Sequence, residues 1–342
     1  MTEETPIDQI RVLLVDDHLI NPDTAVLEVL NGGVSCDVVK VLDAGTSFVV
    51  KRALPKLRVK AEWFADVKRN KFEHRYLSIV DELVPDSVPK VTHFNDEKKF
   101  FCMEFLGGDW ENWKTNLLNG VCQIHTASEA GRILGLIHHL TLGDQELAAE
   151  FTTDQGFFDL RLDPYLVTTG KRHEALRPLF EAEVERITHT KRCLVHGDYS
   201  PKNILVNENG IKILDCEVAW FGDPSFDLAF LLNHLLLKSI YHAPSLLPLD
   251  KMFQASVKSY FAAIALDETA AIELDAQTAR LLLMLLLARV DGKSPVEYLA
   301  DNPLKQDFIR KFVTSQLSDE VNRHTLESVS SNWFTGLRKE FS

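Results

Sequence analysis

Between residues 194 and 227 two short apolar runs flank polar stretches that a buried strand would not tolerate. Leu194-Val-His-Gly-Asp-Tyr-Ser-Pro-Lys-Asn-Ile-Leu-Val206 leads into Asn207-Glu-Asn-Gly210, then Ile211-Lys-Ile-Leu214 and Asp215-Cys-Glu217. The runs are β-branched or Leu-rich and the segment between them is turn chemistry, which predicts a hairpin with a longer loop. Such a hairpin sets Asn203, at the entry of its first strand, beside Asp215, at the exit of its second. Asp198 precedes Asn203 by five residues. Two oxygen ligands side by side next to a further carboxylate are what Mg²⁺-dependent phosphoryl transfer needs. Gly222-Asp-Pro-Ser-Phe-Asp-Leu-Ala229 then opens a helix.

His196-Gly-Asp198-x-x-x-x-Asn203 followed by Asp215 resembles the signature of the aminoglycoside phosphotransferase family. That family includes choline, fructosamine and methylthioribose kinases and varies the protein-kinase catalytic loop and metal-binding Asp. The resemblance implies an α+β, protein-kinase-like fold of two lobes. Residues 1–105 would form a small N-terminal nucleotide-binding lobe, an antiparallel β-sheet with a helix. Residues 106–342 would form a larger, mainly helical lobe for catalysis and substrate binding. It further implies Asp198 as catalytic base, Asn203 and Asp215 as Mg²⁺ ligands, ATP as donor and a small-molecule hydroxyl as acceptor. The acceptor class spans sugars, aminoglycosides, amino alcohols and related metabolites. Glu217 resembles the second acidic position of choline and methylthioribose kinases, which touches a second metal through water. The chain departs from the family two residues after Asp198. Ser200 stands where many members carry His, and Lys202, just before Asn203, is the compensating cation if there is one.

Composition narrows the partners. With 37 Lys and Arg against 50 Asp and Glu, the formal charge is −13, so no basic face is evident for nucleic acid or an anionic membrane. Five cysteines without a CxxC pair read as reduced thiols in a cytoplasmic protein. The acidic start, Met1 to Pro6, lacks the apolar core of a secretory signal and the Arg-rich character of a transit peptide. The longest apolar run, Leu281 to Ala288, falls far short of the roughly 20 residues a bilayer span needs and reads as a buried helix.

In the N-terminal third, Val12 to Val15 reads as a strand and Asp16 to His18 as a turn. Val26–Leu30, Cys36–Leu42 and Phe48–Lys51 read as strands, joined by Asn31-Gly-Gly33 and Asp43-Ala-Gly-Thr46. The resemblance makes residues 31–35, with Gly33 and Ser35, the phosphate-covering loop, a plain hairpin being the alternative. It makes Lys51 the lysine that holds the α- and β-phosphates; Arg52, its neighbour, should point to the opposite face. Residues 60–83 carry helical spacing. Glu73 is preferred over Glu62 as the partner of Lys51, because it sits one turn before the apolar run Leu77 to Val80. Lys90–Phe94 and Phe100–Leu106 should be strands. Met103 to Gly108 resembles the family's hinge, implying that the Glu104 carbonyl and the Leu106 N–H take the adenine.

Further on, Ser128–Leu142 reads as a helix capped by Thr126 or Ser128, with His138 and His139 as core or surface residues. Phe157–Tyr165 reads as extended, with Arg161, Asp163 and Tyr165 alternating on one side as a substrate wall or a surface strand. Residues 172–190 form a polar-faced helix. Phe226–Leu237 is almost wholly apolar and should be a buried helix. A carboxylate at its start, Asp227, needs hydrogen bonds. In kinase-like folds these come from the catalytic loop near His196 and Gly197, so that Asp227 braces the loop aiming Asp198; a simple N-cap is the alternative. Helices should follow near 250–265, 276–290 and 305–317. Arg289 to Pro295 resembles the substrate-side loop of methylthioribose-kinase-like members, which makes Arg289 a candidate substrate contact.

Three functions fit: a small-molecule hydroxyl kinase, a catalytically silent relative that binds nucleotide or a partner, and a kinase acting on a protein side chain. The presence of all three core polar groups favours the first over the second. The absence of Asp-Phe-Gly and Ala-Pro-Glu segments speaks against activation-loop regulation of the protein-kinase kind.

Overall fold

In a computed structural model the residues described are 5–30, 36–54, 69–245, 247–318 and 324–341. They fall into two units, Met1–Trp110 and Glu111–Ser342.

The first unit is framed by five antiparallel strands, β1 (Val26–Val29), β2 (Cys36–Asp43), β3 (Thr46–Ala53), β4 (Val91–Asn95) and β5 (Phe100–Glu104), in the order β1-β2-β3-β5-β4. Asp43 pairs Thr46 across a two-residue turn, with Ala44 and Gly45 both at positive φ, the conformation that matches strand twist in a tight hairpin. Val12 to Val15 is not a strand but part of a helix, Pro6–Asp16. Thr5 and Asp8 form a reciprocal capping box at its start, and Pro6 occupies the first turn, where its missing N–H costs nothing. Ile10 and Leu14, four apart, join Val39, Val41, Val50 and Cys102 in one apolar cluster, so this helix covers one face of the sheet. Neighbouring residues of β3 then look to opposite sides. Arg52 donates to Gln9 Oε1 (2.7 Å) and Asp37 Oδ2 (2.8 Å), whereas Lys51 reaches Glu73 on the helix Arg69–Leu83.

The second unit holds β6 (Glu111–Asn112), β7 (Cys193–Val195), β8 (Ile204–Asn207), β9 (Gly210–Ile213) and β10 (Trp220–Gly222). β6, β8 and β9 form one small sheet, β7 and β10 another. The principal helices include Ile124–Leu140, Arg177–His189, Pro224–His242, Leu249–Ile264 and Glu268–Asp291. The first of these starts four residues earlier than Ser128 and has no side-chain cap. Thr126 instead donates to Gln123, and the Ser128 hydroxyl pairs with Ser259, so neither serves as the cap. Pro224–His242 is buried from Pro224 through Ile240, as an apolar run on all sides requires. Its N-cap is Asp223, which accepts from Ser225 N at 2.9 Å and is itself held by Arg186 at 2.6 Å.

Phe157–Tyr165 departs from the expected extended form. It runs from the short helix Asp154–Phe157 into a π-helix, Phe158–Val167. Its apolar residues alternate as in a strand, but among the described residues no strand pairs with it to satisfy an extended backbone. A wide helical turn satisfies those groups internally and accommodates Pro164.

Candidate active site

The hairpin β8–β9 pairs Ile204 with Ile213 and Asn207 with Gly210. One residue outside it, Leu214 N donates to Asn203 O at 2.8 Å, which fixes Asn203 at the foot of one strand and Asp215 just past the end of the other. Asp215 is held at φ +64°, a left-handed conformation that is uncommon for a residue with a Cβ and marks a constrained site. Asn203 Nδ2 donates to Asp198 Oδ2 at 2.8 Å and to Asp198 O at 3.1 Å. With its amide nitrogen used in this way, the atom of Asn203 left for a cation is Oδ1.

The turn that carries Asp198 leaves β7. Gly197 lies at φ +77°, and a Cβ there would come within 2.7 Å of Val218 O, so only glycine fits. His196 is fully buried. Asp198 N donates to its Nδ1 (3.1 Å), which makes Nδ1 the acceptor and leaves the proton on Nε2, 3.1 Å from Leu214 O. Burial lowers its pKa, consistent with this neutral ring. Asp227, also fully buried, accepts from His196 N at 2.7 Å and Gly197 N at 2.9 Å, one oxygen each. His138 Nε2 lies 3.5 Å from Asp227 Oδ2, while its Nδ1 meets the Tyr260 hydroxyl at 2.9 Å. His138, on the helix Ile124–Leu140, thus lies beside the carboxylate that holds the loop without a hydrogen bond to it, a placement its sequence neighbourhood does not announce.

Arg161 comes from the π-helix. Its Nη2 is 3.2 Å from Asp198 Oδ2, and its Nε donates to Gly197 O. Burial opposes the charge of Arg161, but Asp198 foremost, then Tyr165, Glu217 and Asp215, more than offset it and hold its pKa above the ordinary value. Lys202 is exposed, yet Asp198 first and Asp215 after it raise the pKa of its ammonium. Water screens so exposed a group, so this attraction orients Lys202 more than it stabilises the fold. Both contacts to Asp198, from Asn203 and Arg161, fall on Oδ2, so Oδ1 is the oxygen open to an acceptor hydroxyl.

The three residues read as one wall separate. Arg161 engages the catalytic turn, Asp163 pairs with Lys293 at 2.5 Å, and Tyr165 is buried with its hydroxyl accepting from Arg289 Nη1 at 3.0 Å. Arg289 is therefore tied to Tyr165 and Ser294 within the second unit. A cavity of about 300 Å³, lined by residues including Ser239, Pro244, Asp250 and Phe334, shares no residue with this site.

In the first unit Lys51 Nζ lies 2.6 Å from Glu73 Oε1, both side chains almost wholly buried. Glu104 ends β5, with its N–H donated to Lys90 O at 2.8 Å, and Leu106 lies two residues beyond. Gly33, Ser35 and Glu62 lie outside the described residues. Among the described residues no three His, Cys, Asp or Glu side chains gather as a metal cage. An Mg²⁺ site built from one amide and one carboxylate plus phosphate oxygens needs no such cage, and the hard oxygen donors of Asn203 and Asp215 suit it.

A profile described as "Phosphotransferase enzyme family" matches residues 26–256. Methylthioribose kinase of Erwinia tasmaniensis is 29% identical over 264 residues, covering 67% of this chain and 64% of that protein, so the chain spans less than two thirds of its length. Among solved structures, Plasmodium vivax ethanolamine kinase aligns at a TM-score of 0.53 and 14% identity, over 99% of this chain and 89% of that one. A spectinomycin phosphotransferase in complex with ADP and spectinomycin aligns at 0.52 and 14%, over 96% and 99%. At such identity the likeness is one of fold, and the fold is protein-kinase-like.

Proposed function

Since the chain belongs to the phosphotransferase enzyme family, we propose that it transfers the γ-phosphoryl group of ATP to a hydroxyl of a small molecule. The observation that carries this reading is the juxtaposition at the β8–β9 hairpin. Asn203 and Asp215 flank its open end, and Asp198 is hydrogen-bonded to Asn203 at 2.8 Å.

Asp198 Oδ1 would accept the hydrogen bond of the acceptor hydroxyl and take its proton as the new P–O bond forms. Asn203 and Arg161 fix the orientation of that carboxylate by holding Oδ2. Asn203 Oδ1 and the Asp215 carboxylate would hold Mg²⁺, with Glu217 reaching a second ion through water. When bound, Mg²⁺ supplies positive charge to the phosphate oxygens. Arg161 and Lys202 would add cationic stabilisation on the side where Ser200 replaces the family's His. Lys51, braced by Glu73, would bind the α- and β-phosphates.

Metal titration of turnover tests the reading. Asp215→Ala should raise the Mg²⁺ concentration for half-maximal activity by about tenfold or more, and Asn203→Ala should raise it less, since only Asp215 brings charge. An unchanged Mg²⁺ requirement in both variants would remove these residues from the metal site.

A further inference from the structure

The helix Pro224–His242 is apolar almost throughout, yet it places His234 and Lys238, one turn apart, on one face. Lys238 is fully buried and its Nζ lies 5.2 Å from the centre of the Tyr298 ring. Among the described residues Lys238 Nζ, Arg289 Nε and the Tyr298 hydroxyl are buried with no hydrogen-bond partner. All three are donors, and an arginine and an ammonium can only donate. Arg289 is nevertheless fixed, because Nη1 is hydrogen-bonded to the Tyr165 hydroxyl and to Ser294 Oγ, both at 3.0 Å.

The charges around them do not balance. Lys114, on the helix Trp113–Leu118, and Arg289 both act on Lys238 to lower its pKa, while among the described residues Glu297 is the carboxylate opposing them. Glu297 is already paired with Lys114. Among the described residues Lys114 and Arg289, joined by Lys238 when it is protonated, thus share one carboxylate. An uncompensated buried charge costs far more than an apolar side chain of the same volume. The cluster also adjoins the chemistry. Tyr165, which anchors Arg289, lies on the π-helix that delivers Arg161 to Asp198, and Lys202 feels both Asp198 and Tyr165.

We propose that Lys238, Arg289 and Tyr298 form an anion subsite for the phosphate acceptor, which is therefore a hydroxylated carboxylate or phosphate ester rather than a neutral sugar or an amino alcohol. This rests on the kinase reading for the word acceptor, but the subsite itself is a binding claim. The overall acidity of the chain does not contradict it, because screened surface charge does not set the potential inside a desolvated cluster.

Lys238 also sets a pH signature. Burial first, then Lys114 and Arg289, lower its pKa to about 7, against about 10.4 in the unfolded chain. Between these values the unfolded chain binds more protons, so the unliganded protein gains stability as pH rises from about 7 toward 10; below about 7 both states hold the proton and the cost of the buried charge is full and constant. The surrounding charged groups are Lys114, Arg289 and Glu297, and His234 stays neutral because burial, then Lys238, press its pKa well down. An anion that draws Lys238 into its charged form must bring a proton with it, so binding at about pH 8 should show net proton uptake.

The test uses the full chain with saturating MgADP to fill the nucleotide site. Inorganic phosphate, glycerate, ribose 5-phosphate and ribose are titrated by calorimetry, and the organic ligands are also offered with MgATP while ADP release is followed. We expect the anions to bind with proton uptake and ribose to bind about tenfold more weakly or not at all. Lys238→Met should weaken the anions by about tenfold or more while melting at or above the wild-type temperature below pH 7, because it removes a buried charge. Tyr298→Phe should weaken them severalfold, and Lys311→Met, on an exposed helix position, should not. A merely structural Lys238 would instead lower the melting temperature and leave affinity alone. Binding of ribose as tight as that of the anions, absence of anion binding, or anion binding unchanged in Lys238→Met would each overturn the subsite. Lys238-dependent anion binding without phosphorylation of any ligand would keep the subsite and count against the kinase reading alone.

Discussion

Asp198→Asn is expected to fold, to bind MgATP as the wild type does, and to lose about 10²–10⁴ or more of kcat. The substitution preserves shape, and an Asn oxygen can still accept from Asn203 Nδ2, now 2.8 Å from Asp198 Oδ2. What it removes is the basic oxygen on the other side, where an amide NH₂ would face the acceptor hydroxyl as a donor. Steady-state turnover with calorimetric nucleotide binding separates the two effects. Turnover within roughly tenfold of wild type would show that Asp198 takes no proton, since a positioned general base contributes more than that.

Asp227→Ala should destabilise the protein by about 3–5 kcal/mol, enough to make it insoluble or to drop its melting temperature sharply. The side chain is fully buried, and removing it strands the N–H groups of His196 and Gly197, donated at 2.7 and 2.9 Å, inside the core. The milder reading, a helix N-cap worth about 1 kcal/mol, belongs to Asp223 instead. Asp227→Asn is the informative companion. It keeps the volume and one acceptor, so it should remain soluble with reduced stability and a depressed kcat, because the turn that aims Asp198 is held at one point rather than two. Chemical denaturation and turnover of both variants check this. A near wild-type stability and kcat for Asp227→Ala would dismiss the brace.

Local chemistry made much of this legible in the sequence. Asn207 to Gly210 forces the hairpin, and the hairpin alone sets Asn203 beside Asp215. Lys51 and Arg52 follow from strand alternation once β3 is placed, and Asp227 follows from a carboxylate at the head of an apolar helix. The failures came where short-range pattern has two solutions. Val12 to Val15 is apolar enough for a strand, and only the Thr5–Asp8 capping box reveals the helix. The alternation of Phe157–Tyr165 was genuine, but whether an alternating segment is a strand depends on a neighbouring strand that sequence does not show. His138 and Lys238 were invisible for another reason. Each meets partners more than 50 residues away, as His138 does with Asp227 and Lys238 with Tyr298. Their meaning lies in what surrounds them.

The burial of Pro224–His242 has a dynamic consequence. A catalytic turn is commonly among the more loosely held parts of an enzyme, yet the amides of His196 and Gly197 are fastened to a helix buried along seventeen consecutive residues, Pro224 to Ile240. Those two amides cannot open without releasing Asp227, and Asp227 cannot leave without disturbing the core. Their hydrogen exchange should therefore be slow and should report the global unfolding of the second unit rather than local fluctuation. Motions that admit an acceptor must then arise elsewhere, because the segment bearing Asp198 moves only when the core does.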